Sequence, residues 1–180
     1  KDDGPSITAG TATAGALTVD ETTLGTNAVV NMSGLFSGVG YGADGAGSTV
    51  YTLAAKTGVT GLTDTASGEA VVLSVNAGVV EGKTANGALV FTVSVDASGT
   101  VTLDQKRAVV HANVTNPDDA ISLSSADLIS LTATVTDRDG DSKAATVDLG
   151  KAISFKDDGP SITAGTATAG ALTVDETTLG

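Results

Sequence analysis

The chain has 180 residues, no cysteine, a single histidine and a formal net charge of −12 at pH 7, so disulfides, thiolate metal sites and thiol nucleophiles are excluded. So large an acidic excess argues against nucleic acid or anionic lipid as a partner, and no apolar run is long enough to insert into a membrane as a helix. With three Phe, two Tyr and no Trp, an aromatic platform for stacking sugars is not expected.

The first stretch, KDDGPSITAGTATAGALTVDETTLG at Lys1–Gly25, returns without a mismatch at Lys156–Gly180. Repetition at this spacing has the length of a whole domain rather than of a solenoid unit. Residues 1–155 therefore read as one complete repeat with a leading joint at 1–5. Residues 156–180 read as the joint and first strand of a further, truncated repeat. Pro5 and Pro160 fix φ and restrict the residue before them, which makes the joint short and stiff.

Along the chain, SITAGTATAGALTV, NAVVNMSGLF, STVYTLA, EAVVLSV, GTVTLDQ, RAVVHAN and KAATVDLGKAISF are all β-like. Leu89, Phe91, Val93 and Val95 alternate with Val90, Thr92, Ser94 and Asp96. Ile129, Leu131, Ala133 and Val135 alternate in the same way with Ser130, Thr132 and Thr134. A period of two marks strands with one face on a core. Turn formers punctuate the runs at Ala97-Ser98-Gly99, Asn116-Pro117-Asp118-Asp119 and Asp137-Arg138-Asp139-Gly140-Asp141. This pattern predicts an all-β protein, an antiparallel β-sandwich of the immunoglobulin/cadherin-like kind, as one module of a tandem array. A short helix in DDAISLSSADL is the competing reading of that segment.

The densest acidic motif is TDRDGDSK, where Asp137, Asp139 and Asp141 stand at alternate positions. Its glycine comes too early for an EF-hand, but an Asp-rich hairpin loop still suits a partial calcium site. If LISLTATVT and KAATVDLGKAISF form the last hairpin, this loop lies at the pole opposite the chain's exit, together with Asp2 and Asp3. Asp118, Asp119, Asp157 and Asp158 then fall at the exit pole. Asp20 and Glu21 join them if the first strand crosses the sandwich once, a path that Gly10 and Gly15 are able to break. In an array, one repeat's exit acids face the next repeat's Asp137, Asp139 and Asp141. Such a joint repels itself unless a cation neutralises it. Calcium, with six to eight oxygen ligands and tolerant geometry, suits it best.

The ordered set GADG (Gly42–Gly45), GLTDTASGEAVVLSV, VFTVSVDASGTVTL, AVVHANVTNPDDAISL, TATVTDRDGDS and ISFKDDGPSI resembles the extender repeats of giant type-I-secreted RTX adhesins, over nearly the whole period. The resemblance implies a calcium-rigidified β-sandwich stacked on adjacent identical repeats of the same chain. It also implies an extracellular place on the bacterial cell surface, where such rows project a ligand-binding tip for adhesion and biofilm formation. The joint is similar in logic to cadherin linkers. The alternative expectation is a calcium-dependent glycan- or peptide-binding module, gripping through the acidic poles or the Gly38–Gly47 loop.

Other signals are discounted. Gly40–Gly45 matches G-x-G-x-x-G, but that motif binds dinucleotides only between a strand and a helix, and no helix is expected there. Asp44 within it stays a candidate local calcium ligand. His111 has no partner of the kind a nucleophilic triad or a histidine metal centre needs, so a structural histidine near a strand end is expected. No enzymatic activity and no small-molecule substrate are expected.

Overall fold

The computed structural model describes residues 3–160, 162–174 and 177. In chain order the strands are β1 (Ser6–Ala9), β2 (Leu17–Asp20), β3 (Ala28–Asn31), β4 (Phe36–Gly40), β5 (Ala46–Ala55), β6 (Val59–Thr63) and β7 (Ala70–Asn76). They continue as β8 (Val79–Lys83), β9 (Leu89–Val95), β10 (Thr100–Gln105), β11 (Ala120–Ser122), β12 (Ile129–Asp137), β13 (Ser142–Asp148) and β14 (Ile153–Lys156). Residues 3–160 hold three short 3-10 turns, at Glu21–Thr23, Ser33–Leu35 and Ala126–Leu128, and no α-helix. The fold is therefore all-β and sandwich-like.

One wall is the six-stranded sheet β3-β10-β9-β8-β7-β6, and the opposing wall is β13-β12-β5, whose β5 lies across β7, β8 and β9. Smaller sheets, β1-β4 and β11-β14-β2, complete the structure. All strand pairs are antiparallel except β14 with β2, which run parallel in the register Ile153 to Leu17 through Lys156 to Asp20. The walls meet in one apolar core. Ile129, Leu131, Ala133 and Val135 of β12 are fully buried, as their alternation predicts. Phe91 of β9 and Phe155 of β14, both fully buried, stack tilted with ring centroids 5.2 Å apart and so tie the six-stranded wall to the parallel pair.

Strand assignments differ from expectation in five places. Val59–Thr63 and Val79–Lys83 are additional strands, held by pairing to β7 and β9 rather than by an alternation visible in the sequence. RAVVHAN is not a strand: its only ladder contact is a bridge from Val109 to Asp64, because its N–H groups are used elsewhere. DDAISLSSADL forms β11 and a 3-10 turn at Ala126–Leu128, with no α-helix. The opening stretch breaks into β1 and β2 around Gly10–Ala16, yet it still runs the length of the sandwich beside β13 and β14.

The duplicated segment takes two conformations. In the first copy Ile7, Leu17 and Val19 are buried, at 8%, 0% and 3% exposure. Their counterparts Ile162, Leu172 and Val174 are 100%, 98% and 84% exposed, and residues 162–174 form no strand. Identical residues therefore differ only in having a sheet to join, which is tertiary context overriding local propensity.

Candidate functional site: two acidic poles

β1 lies beside β13, and β2 then runs parallel to the last strand, β14. The chain thus comes in at one end and leaves at the other. At the N-terminal pole lie Asp3, the loop Tyr41–Gly45 and the β12–β13 hairpin. At the C-terminal pole lie Glu21, the loop 113–119 and the joint Asp157–Pro160.

The N-terminal pole is assembled by close backbone approaches that only glycine permits. Gly42 has φ +68°, and a Cβ there would sit 1.5 Å from the carbonyl oxygen of Asp3. A Cβ on Gly47 would lie 2.4 Å from the carbonyl oxygens of both Thr136 and Asp137. The Arg138 N–H donates to the Gly45 carbonyl at 3.2 Å, which locks the Gly loop onto the hairpin. Together these contacts bring carboxylate oxygens of Asp44, Asp137 and Asp139 within 4.8 Å of one another. Asp137 is 3% exposed. Its Oδ1 accepts the Gly140 N–H at 3.1 Å, while its Oδ2 is buried and accepts no hydrogen bond. The side chain of Asp137, then burial, then the charges of Asp137 and Asp44 push the Asp139 carboxyl above its ordinary value. Asp141 enters through its backbone, where its carbonyl accepts the Asp137 N–H at 3.0 Å. Three carboxylates this close, one of them buried, could hold a hard divalent cation.

Replacing Gly47 by Ala is expected to force the β5–β12 contact apart at this pole, since the new methyl meets backbone that cannot swing aside. The expected cost is about 2 kcal/mol, read as a lower melting temperature together with weaker cation binding. A variant that melts with the wild type would refute the close approach.

The C-terminal pole is organised around Glu21, whose side chain is 6% exposed. Its Oε1 accepts from Gln105 Nε2 at 2.8 Å and from the Val109 N–H at 2.8 Å, which is why the RAVVHAN backbone leaves the ladder. The Thr65 N–H donates to the Ala108 carbonyl at 3.0 Å and the Val110 N–H to the Thr63 carbonyl at 2.8 Å. This course carries His111 against Glu21, with Nε2 3.5 Å from Oε1. Asp157 is fixed by its N–H, which donates to the Asp119 carbonyl at 2.8 Å. Ligand atoms of Glu21, His111 and Asp157 lie within 4.8 Å of one another, beside an open groove of about 760 Å³ that Asp158 and Pro160 also line.

Asp118, Asp119 and Asp20 have partners of their own. Asp118 Oδ1 accepts from Lys156 Nζ at 3.1 Å, and the Asp119 carboxylate caps its own loop by accepting the N–H groups of Asn113 and Ala120. The Thr22 side chain, and then the Thr22 N–H that donates to Asp20 Oδ1 at 3.0 Å, hold the Asp20 carboxyl below its ordinary value. Asp2 lies outside the described residues. His111, expected to be a satisfied structural histidine, instead stands beside two acids with neither ring nitrogen hydrogen-bonded. In the sequence His111 reads as structural because these acids are distant from it along the chain, and the one local signal is its place at the end of an apolar run.

A family model described as a domain of unknown function (DUF5801) matches residues 16–150. That span contains Glu21, Asp44, His111, Asp118, Asp119 and the whole Asp137–Asp141 hairpin, and it stops before Asp157. No curated protein and no solved structure matches the chain.

Proposed function

The chain belongs to the DUF5801 family of domains of unknown function, and on that footing we propose that it is a structural repeat module, an extender of a bacterial surface adhesin whose joints calcium stiffens. The observation that carries this reading is the carboxylate group of Asp44, Asp137 and Asp139 at the end where the chain comes in, with one buried oxygen of Asp137 unmatched by any donor. Calcium bound there replaces mutual repulsion by shared coordination, and the exit joint of a neighbouring repeat, with Asp158, supplies further oxygens. Many copies joined this way act as a rod, so the function is mechanical and the partner is the adjacent repeat. The duplicated segment supports the reading: its second copy exposes the apolar residues that the first copy buries in a sandwich.

Calcium that binds only the folded chain stabilises it by about 2.7 kcal/mol at a hundredfold excess over Kd. At this chain length that corresponds to a rise in melting temperature of about 5–10 °C. Scanning calorimetry of the chelator-treated chain with and without millimolar calcium measures it. Asp139→Ala is expected to remove most of the rise while leaving the far-ultraviolet circular dichroism unchanged. Identical melting curves with calcium and with chelator would overturn the reading.

A further inference from the structure

The C-terminal pole contains a group that calcium does not use. The His111 side chain is 3% exposed, and neither Nδ1 nor Nε2 has a hydrogen-bond partner. A buried imidazole left so is less stable than a satisfied one. Glu21 does not relieve it, since at 3.5 Å the contact is long for a hydrogen bond and Glu21 Oε1 already accepts two N–H donors. Both donors hold Glu21 in place, and the Asp119 carbonyl holds the backbone of Asp157. The three side chains therefore converge on one point from a supported shell, with the groove leading to it from solvent.

From this convergence we infer that Glu21, His111 and Asp157 form a binding site for a divalent transition metal of the zinc class, within a single repeat. One imidazole nitrogen and two carboxylates suit zinc, cobalt or manganese, whereas calcium and magnesium prefer oxygen alone. Nε2 of His111, the ring nitrogen 3.5 Å from Glu21 Oε1, is placed to give its lone pair to the metal. Three protein ligands leave one tetrahedral position toward the groove, for water or for an acid of a neighbouring repeat. The site goes beyond calcium at the opposite pole: it differs in metal, in ligand chemistry and in needing no second repeat.

The test uses the full 180-residue chain without a histidine tag, treated with chelator and then titrated with zinc chloride alone by calorimetry. One zinc per chain is expected, with the proton and nitrogen NMR signals of the imidazole shifting in step. Those signals belong to His111 alone, because the chain has no other histidine. His111→Gln is expected to weaken zinc binding about a hundredfold or more, and a thousandfold excess of calcium is expected not to displace the metal. Asp139→Ala is expected to keep zinc binding while losing the calcium response, which separates this site from the calcium reading. Absence of zinc binding, binding that leaves the imidazole signals unmoved, or displacement by equimolar calcium would each overturn the inference. Should His111→Gln fail to fold, the wild-type NMR titration decides alone.

Discussion

Removing residues 1–20 is expected to abolish the folded monomer, whereas removing residues 161–180 leaves its melting temperature unchanged within about 1 °C. The first copy contributes Ile7, Leu17 and Val19 to the core, each worth about 2 kcal/mol of burial. Set against a total stability of about 5–15 kcal/mol, that loss is decisive. It also strips β14 of its parallel neighbour and β4 of β1, leaving two open edges. The second copy cannot fill the gap within its own chain. It departs from the C-terminal pole, whereas β1 begins at the other, and a joint of five residues reaches only about 17 Å. Any recovery at high concentration must then come from the second copy of another molecule, visible as multimers by size-exclusion chromatography. Circular dichroism of the two truncations decides the matter; a cooperative melt for the chain lacking residues 1–20 as a monomer would show that the sandwich does not depend on the first copy.

The same asymmetry shows what the sequence makes legible and what it does not. The alternation at Ile129–Val135 is a property of a buried strand and can be read from residue types. The pole that holds Asp137 and Asp139 was visible too, because its acids are neighbours in the chain and the turn between them is announced by Gly140. RAVVHAN looks as apolar as β12, yet its backbone is drawn off by the Glu21 carboxylate and by Thr63 and Thr65. Nothing local records that diversion. β6 and β8 are hidden for the converse reason. Gly61 and Glu81 dilute their pattern, and pairing with β7 and β9 supplies the order instead. His111 was unreadable as a ligand since its two acidic neighbours arrive from opposite ends of the chain.

Asp64→Ala is expected to lower stability by about 3 kcal/mol and to weaken the C-terminal pole with it. Asp64 is fully buried. Its two oxygens accept from Arg107 Nε at 2.8 Å and from an Arg107 terminal nitrogen at 2.9 Å, and Oδ2 also accepts from the N–H and hydroxyl of Ser67. Breaking such a pair strands the partner and a backbone N–H. The figure stays at the low end of the buried range because the Arg107 side chain is 36% exposed and can regain water. Arg107 and, more weakly, Ser67 outweigh burial and hold the Asp64 carboxyl far below the usual carboxylate range. A depressed folded value means that this stabilisation is complete above the unfolded value of about 3.9 and is lost as pH falls toward the folded one. The gap between wild type and variant should therefore be flat from about pH 5 to 8 and close below about pH 4, as urea melts at each pH would record. Asp64 also sits at the bridge to Val109 that starts the course of residues 107–111. If that course places His111, the variant loses zinc affinity at pH 7 even where it remains folded. An unaltered affinity would mean that Glu21, through the Val109 N–H, suffices to position the imidazole.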